Sequence, residues 1–442
     1  MNILRSAGPI VPAQADFIVP IDGHIKSVIP GPGHDHWLIA FDSGMEFGLG
    51  RLNTDLTPAP PFGAPPEPGY FLDSFDPLGS GFQTVQHMVT AESTLWVFGL
   101  YFSFSDFQDH IAVARYHLDG TIDKNFGTAG RLVVDLPGTK AHPFAWQGRS
   151  IHSAVRMLQP PELLPNGKML FFFSELMPDY SERALLIRLT AEGELDTSFS
   201  ENDYLHVQFD GEDLTPKGLL LQGEQILVYG HTHSDADTYS VAVLGRFTRD
   251  GTLDRTFGDS GFIGFGDKNA YNTTIHDVVF GEQERIVVAG TFENPSYPFM
   301  GLLSPEGNPD PSFNGGNPKG VITPFPVPSI GAIALQRIAS TWAIVLAATA
   351  DISASPRGVL IRLTADGNLD SGFGDGAGYQ LADRRSEYLT LQFSQIPGIL
   401  VGGYVNDEID GVASEFPWLR HFSVNGLPGG GIRPGSKVIG IR

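Results

Sequence analysis

The chain is expected to fold as an all-β protein, a seven-bladed β-propeller of four-stranded antiparallel blades. Three observations predict it. A unit of the form D/E-G-x-L-D-x-x-F-G returns along the whole chain at a period of about sixty residues, which marks a repeat architecture. Each period divides into four short apolar runs bounded by Gly, Pro, Asn or Asp, the punctuation of strands. The 53 Gly and 33 Pro in 442 residues favour frequent turns over long helices.

The unit aligns on its turn glycine: Gly120, Gly193, Gly251, Gly307 and Gly367, with degenerate copies at Leu56 and Gly426. Asp-Gly or Glu-Gly supplies a tight turn, because glycine accepts positive φ without steric cost. Three residues on stands an aspartate, namely Asp123, Asp196, Asp254, Asp310 or Asp370, placed to accept backbone N–H groups. Six residues on stands Phe62, Phe126, Phe199, Phe257, Phe313 or Phe373, expected to plug the gap between adjacent blades. Five residues before the turn position stands Arg51, Arg115, Arg188, Arg246 or Arg362, a candidate partner for the aspartate. Two copies break that pairing, with Ala59 in place of the Asp and Leu302 in place of the Arg. One carboxylate per copy falls short of the oxygens that calcium requires.

In the fifth period GFIGFG reads as the first strand, TTIHDVVF the second, ERIVVAGTF the third and PFMGLLSP the fourth. The third run is the most apolar throughout, from WLIAF at Trp37 to ILVGG at Ile399. Apolarity on both faces belongs to a strand buried between neighbouring sheets. Residues 437–442, KVIGIR, form a spare strand after the seventh period and are expected to close the ring by pairing into the N-terminal blade. Residues 1–442 are accordingly read as one domain.

A formal charge of −22 disfavours nucleic acid and anionic bilayers as partners. The absence of cysteine removes disulfides and thiolate chemistry. No run approaches the length of a membrane span, and the N-terminus lacks a signal-peptide core. A cytoplasmic monomer is the expectation, with leaderless secretion as the other route.

The repeated pattern and its period resemble the delta-60 repeat of bacterial β-propeller-like proteins. The resemblance spans nearly the whole chain, is strongest in five copies, and implies a bacterial propeller. It implies no set of catalytic residues.

Two groups of residues are candidates for a site. The longest connections, 137–148 and 176–183, join FSFSDFQDH on one face of the second to fourth blades. They carry Phe104, Phe107, Phe144, Trp146 and Tyr180, aromatic residues suited to binding a protein, peptide or glycan. The other reading folds these rings back onto blade edges. On the same face His231, His233 and Asp235 alternate along an extended segment, as zinc or another divalent metal would need. A second His-x-His, at His34 and His36, shows how readily that pattern arises. A non-catalytic binding or scaffold protein without a cofactor is expected. The alternative is a metal-assisted hydrolase or lactonase with its site at the central channel. No acid–base constellation in the sequence favours the alternative, and a fold does not imply an activity.

Overall fold

The computed structural model describes residues 16–18, 24–43, 45–59, 61–63, 69–77, 81–91, 93–105, 108–134, 155–156, 161–164, 166–176, 182–200, 204–232, 239–266, 271–293, 296–321, 323–338, 341–353, 355–394, 398–409 and 412–423. Among them strands dominate, and the helical content is four short 3₁₀ turns. The strands form five four-stranded sheets and one of nine.

Each repeat builds a meander. In the first, Ile25–Pro30, His36–Ser43, Glu46–Asn53 and Tyr70–Asp73 pair in that order. The second repeat does the same with Gly81–Ala91, Thr94–Ser103, Gln108–His117 and Arg131–Val134. The third and fourth repeats share the nine-stranded sheet. They are stitched together where Gln208 pairs with Asp213 and Phe209 with Glu212. The fifth repeat begins with Thr273–Phe280 and the sixth with Ser329–Ile338. The seventh uses Ser386–Ser394, Gly398–Ile409 and Val412–Ser423, and its outer strand is Asp16–Ile18 from the start of the chain. Asp16 pairs with Arg420 and Ile18 with Trp418. Residues 437–442, expected to close the ring, lie outside the described residues.

The strand after each motif differs from its expected place. Phe262–Phe265 (within GFIGFG) pairs with Ala242–Phe247, so it is the last strand of the fourth repeat and not the first of the fifth. The motif itself explains this. Arg246 N–H donates to Gly261 O at 3.0 Å, and Asp254 N–H donates to Arg246 O at 2.9 Å. The loop therefore curls over the arginine-bearing strand and returns along it. The same pair of bonds recurs at Arg115 and Arg362.

The second strand of each repeat is deeply buried. Its alternate residues feed two different cores, as the two-residue strand period requires. Ile344 and Leu346 enter the core shared by the fifth and sixth repeats, whereas Val345 and Ala347 enter that of the sixth and seventh. Each successive pair of repeats shares such a core. A further core joins Leu400 and Leu419 of the seventh repeat to Ile25, Val28 and Ile39 of the first.

Candidate functional site

The repeat motif comes first, because it holds most of the recurring polar residues. The turn glycines take positive φ as expected: +84 at Gly120, +93 at Gly193, +87 at Gly251, +83 at Gly307 and +76 at Gly367. Leu56, in the degenerate first copy, is held at +64. The motif phenylalanines are buried, each in the core between its own repeat and the next. Arginine and aspartate meet in four copies: Arg115–Asp123 at 2.9 Å, Arg188–Asp196 at 2.6 Å, and Arg246–Asp254 and Arg362–Asp370 at 2.8 Å. The same guanidinium lies over the motif ring, 4.7 Å from the Phe199, Phe257 and Phe373 centroids, a cation–π geometry. Where the pattern breaks, local groups substitute. Arg51 donates to the Ala59 carbonyl at 3.1 Å, and Asp310 pairs with Arg285 at 3.3 Å.

Burial alone would raise the Asp196 carboxyl. Hydrogen bonds from Lys168, Ser198 and Arg188 outweigh it and hold the group well below the usual range. A bond from the Thr256 hydroxyl similarly lowers Asp254 against the opposing effect of burial. These carboxylates are consumed in intramolecular bonds. They fix the turn within its own repeat, and Arg188 and Arg246 extend the network to the Arg249 and Pro305 carbonyls of the next.

A different polar group lies on the first strands. Six of these strands break register by one residue at equivalent places, and the extra residues are Lys26, Gln86, Lys217, His276, Gly331 and Leu389. Such bulges re-aim side chains and disrupt the ladder locally. The freed N–H groups find side-chain acceptors on the neighbouring repeat. Ser27 Oγ accepts from Met88 N at 3.1 Å, and Asp277 Oδ2 accepts from Ile333 N at 2.8 Å. At the fourth repeat the equivalent residue is Gly218, which has no acceptor to offer. There Asp277 Oδ1 takes Val278 N at 2.8 Å as well.

Around Asp277 the titratable groups are strongly perturbed. Burial pushes Asp277 up to about 6, despite bonds from Ile333, Val278 and Tyr229. Burial, then Asp277, raises the Tyr229 hydroxyl far above its ordinary value. Next in sequence, His276 is pushed down to about 3 by burial, with Lys217 and His231 adding repulsion. Its Nε2 meets Thr291 Oγ1 at 2.9 Å. On the third repeat Glu162 is raised by burial. Perturbed groups gathered in one place mark candidate functional sites.

His231 stands in this neighbourhood, opposite Thr215 on the adjacent strand. His233 and Asp235 lie outside the described residues, as do Phe107, Phe144, Trp146 and Tyr180. Among the described residues no three His, Asp or Glu side chains could share a metal ion. Phe104 is half-buried and packs edge-on against Phe82 at 5.0 Å and Phe102 at 5.9 Å, covering the end of its sheet. The sequence reading missed His276, Asp277 and Lys217. The visible signal was the His-Asp pair inside the otherwise apolar run TTIHDVVF.

Residues 344–373 match the family described as a domain of unknown function (DUF5122) beta-propeller. No curated protein matches the chain. The extracellular region of plexin A4 is similar in structure at 10% identity and a TM-score of 0.50, covering 92% of this chain and 51% of that one. The Dos1 propeller aligns over 96% of this chain and 97% of its own at 10% identity and a TM-score of 0.46. A prolyl endopeptidase aligns over 94% of this chain and 48% of its own, at 10% identity and a TM-score of 0.43. The chain thus spans about half the length of the plexin and endopeptidase chains. It is an all-β protein with a β-propeller fold. No helix among the described residues is long and apolar enough to cross a membrane.

Proposed function

We propose that this protein is a closed seven-bladed propeller of the delta-60 repeat kind, one domain over residues 1–442, acting as a non-catalytic binding protein. The observation that carries this reading is the division of labour between the two ends of the sheets. At the motif end, the recurring Asp and Arg side chains bond one another. The opposite end is where the sequence reading expects the longest connections and the aromatic residues Phe104, Phe107, Phe144, Trp146 and Tyr180. Rigid scaffolds place binding residues on such loops. The core joining the first and seventh repeats, with Asp16–Ile18 completing the last sheet, supports ring closure.

The ligand class is a protein, peptide or glycan engaged by that aromatic face. The test is a peptide and glycan array probed with the full chain and with a Trp146→Ala, Tyr180→Ala double variant. Ligands retained by the wild type and lost by the folded variant support the proposal. Retention of every ligand by the variant overturns the choice of face.

A further inference from the structure

We propose that Tyr239 and Tyr271 form the platform of a binding site for a neutral saccharide at the boundary between the fourth and fifth repeats. The site uses none of Phe104, Phe107, Phe144, Trp146 and Tyr180, and it stands on contacts among other residues.

Three segments meet there, and Asn272 ties them together. Its Oδ1 accepts the Ser240 N–H at 2.8 Å, and its Nδ2 donates to Glu293 Oε2 at 2.8 Å. Its carbonyl accepts the Glu293 N–H at 3.0 Å. Ser240 leads into Ala242–Phe247, Asn272 leads into Thr273–Phe280, and Glu293 follows Ile286–Phe292. The residues just before these three are Tyr239, Tyr271 and Phe292, so the knot gathers three aromatic rings at neighbouring positions. Tyr271 packs edge-to-face with Phe292 at 5.3 Å, and Phe292 rests at 4.9 Å on Phe299, which is fully buried. The platform is thus anchored in the core of the fifth repeat. Its outer side is open: Tyr239 is 44% exposed and Tyr271 39%, two of the four large apolar side chains that stand in solvent among the described residues. Exposed apolar surface gathered in one place marks an interaction site, and rigid support lowers the cost of binding there.

The ligand class follows from what borders the rings. A sugar ring carries apolar C–H faces and a rim of hydroxyls. Tyrosine matches both, with an apolar ring, a polar tip and only two torsions to order. Glu293 is exposed, and among the described residues its Oε1 has no hydrogen-bond partner, so it can accept from a ligand hydroxyl. A proline-rich peptide also lies well on aromatic rings, but its prolines bring no N–H donor to that carboxylate. The net charge of −22 disfavours acidic sugars and leaves neutral ones.

The test is calorimetric titration of the full chain with cellohexaose, xylohexaose, mannohexaose and maltohexaose, and with a decaproline peptide. Tyr239→Ala, Tyr271→Ala and the ring-preserving Tyr271→Phe are titrated in parallel, and folding is checked by circular dichroism. Binding of at least one oligosaccharide, weakened by about tenfold or more in each alanine variant and largely kept by Tyr271→Phe, supports the site. Absence of oligosaccharide binding by the folded wild type overturns the proposal, as does binding unchanged in either folded alanine variant. Binding of decaproline alone makes this a peptide surface and overturns the saccharide. The Trp146→Ala, Tyr180→Ala variant is expected to keep this binding. Loss there, with retention in both tyrosine variants, moves the sugar to the loop aromatics and overturns this site alone, so the two proposals fail separately.

Discussion

The hydroxyl of Tyr229 bonds Asp277 across the boundary between two repeats, at 3.1 Å and with both groups buried. That contact links a second strand to the first strand of the following sheet. It also explains an acidic residue in an otherwise apolar segment. Removing the donor in Tyr229→Phe should cost about 1–2 kcal/mol, the worth of a hydrogen bond to a buried acceptor. Asp277→Ala should cost more, about 3 kcal/mol, because Ile333 and Val278 N–H lose their acceptor. Urea unfolding of both variants measures the difference, and equal costs would contradict the assignment.

Asp277 also sets a pH dependence. Its folded value of about 6 exceeds the ordinary 3.8, so the native state holds that proton more tightly between the two. Its contribution is therefore fully present below about pH 4 and is lost as pH rises to about 6, an effect of about 3 kcal/mol. Asp196 acts with the opposite sign. Its folded value is depressed, so its contribution is present above the ordinary carboxylate range and disappears as pH falls. Lys168→Met should therefore weaken acid resistance and leave the Asp277 window unchanged. Unfolding curves from pH 3 to pH 7 separate the two.

The turn glycines give a paired comparison. A Cβ at Gly307 would fall 2.6 Å from Phe257 Cε2, whereas one at Gly211 meets nothing within 4 Å. Both residues have positive φ, +83 and +79. Gly211→Ala should cost about 1 kcal/mol for backbone strain alone, and Gly307→Ala about 2–4 kcal/mol as the ring is displaced as well. Equal melting temperatures for the two variants would show that the motif ring has room to move.

Much of this was legible in the sequence because the repeat exposes it. The turn glycines, the buried phenylalanines and the apolar second strands all sit at fixed offsets, so one copy explains the others. The Arg–Asp pair was open because Ala59 and Leu302 break it, and in both copies a neighbouring group takes over. The sheet to which each strand belongs was not legible. The choice between returning and moving on depends on the backbone bonds of Arg246 to Gly261 and Asp254, which leave no mark on the pattern. The bulges were hidden too, since a register break of one residue alters pairing without altering composition. Lys217 and His276 are brought together only by the packing of separate repeats.

Deleting residues 1–23 should lower the melting temperature and promote association, because it bares the edge of Val412–Ser423. Deleting residues 437–442 asks the same question of the other terminus. A fall for the first deletion alone assigns closure to the N-terminal strand, and a fall for the second alone assigns it to the C-terminal one.

The pairing of Asp16 with Arg420 also has a meaning for biosynthesis. A strand made before the first repeat must wait for a partner made in the seventh. The intervening repeats can settle in order as they emerge, each against its predecessor, while the early strand stays without its permanent neighbour. Contacts so distant in sequence form slowly and leave an adhesive edge open in the interval. The slowest and most chaperone-dependent event in the folding of these repeats is therefore expected to be the pairing of Asp16–Ile18 with Val412–Ser423.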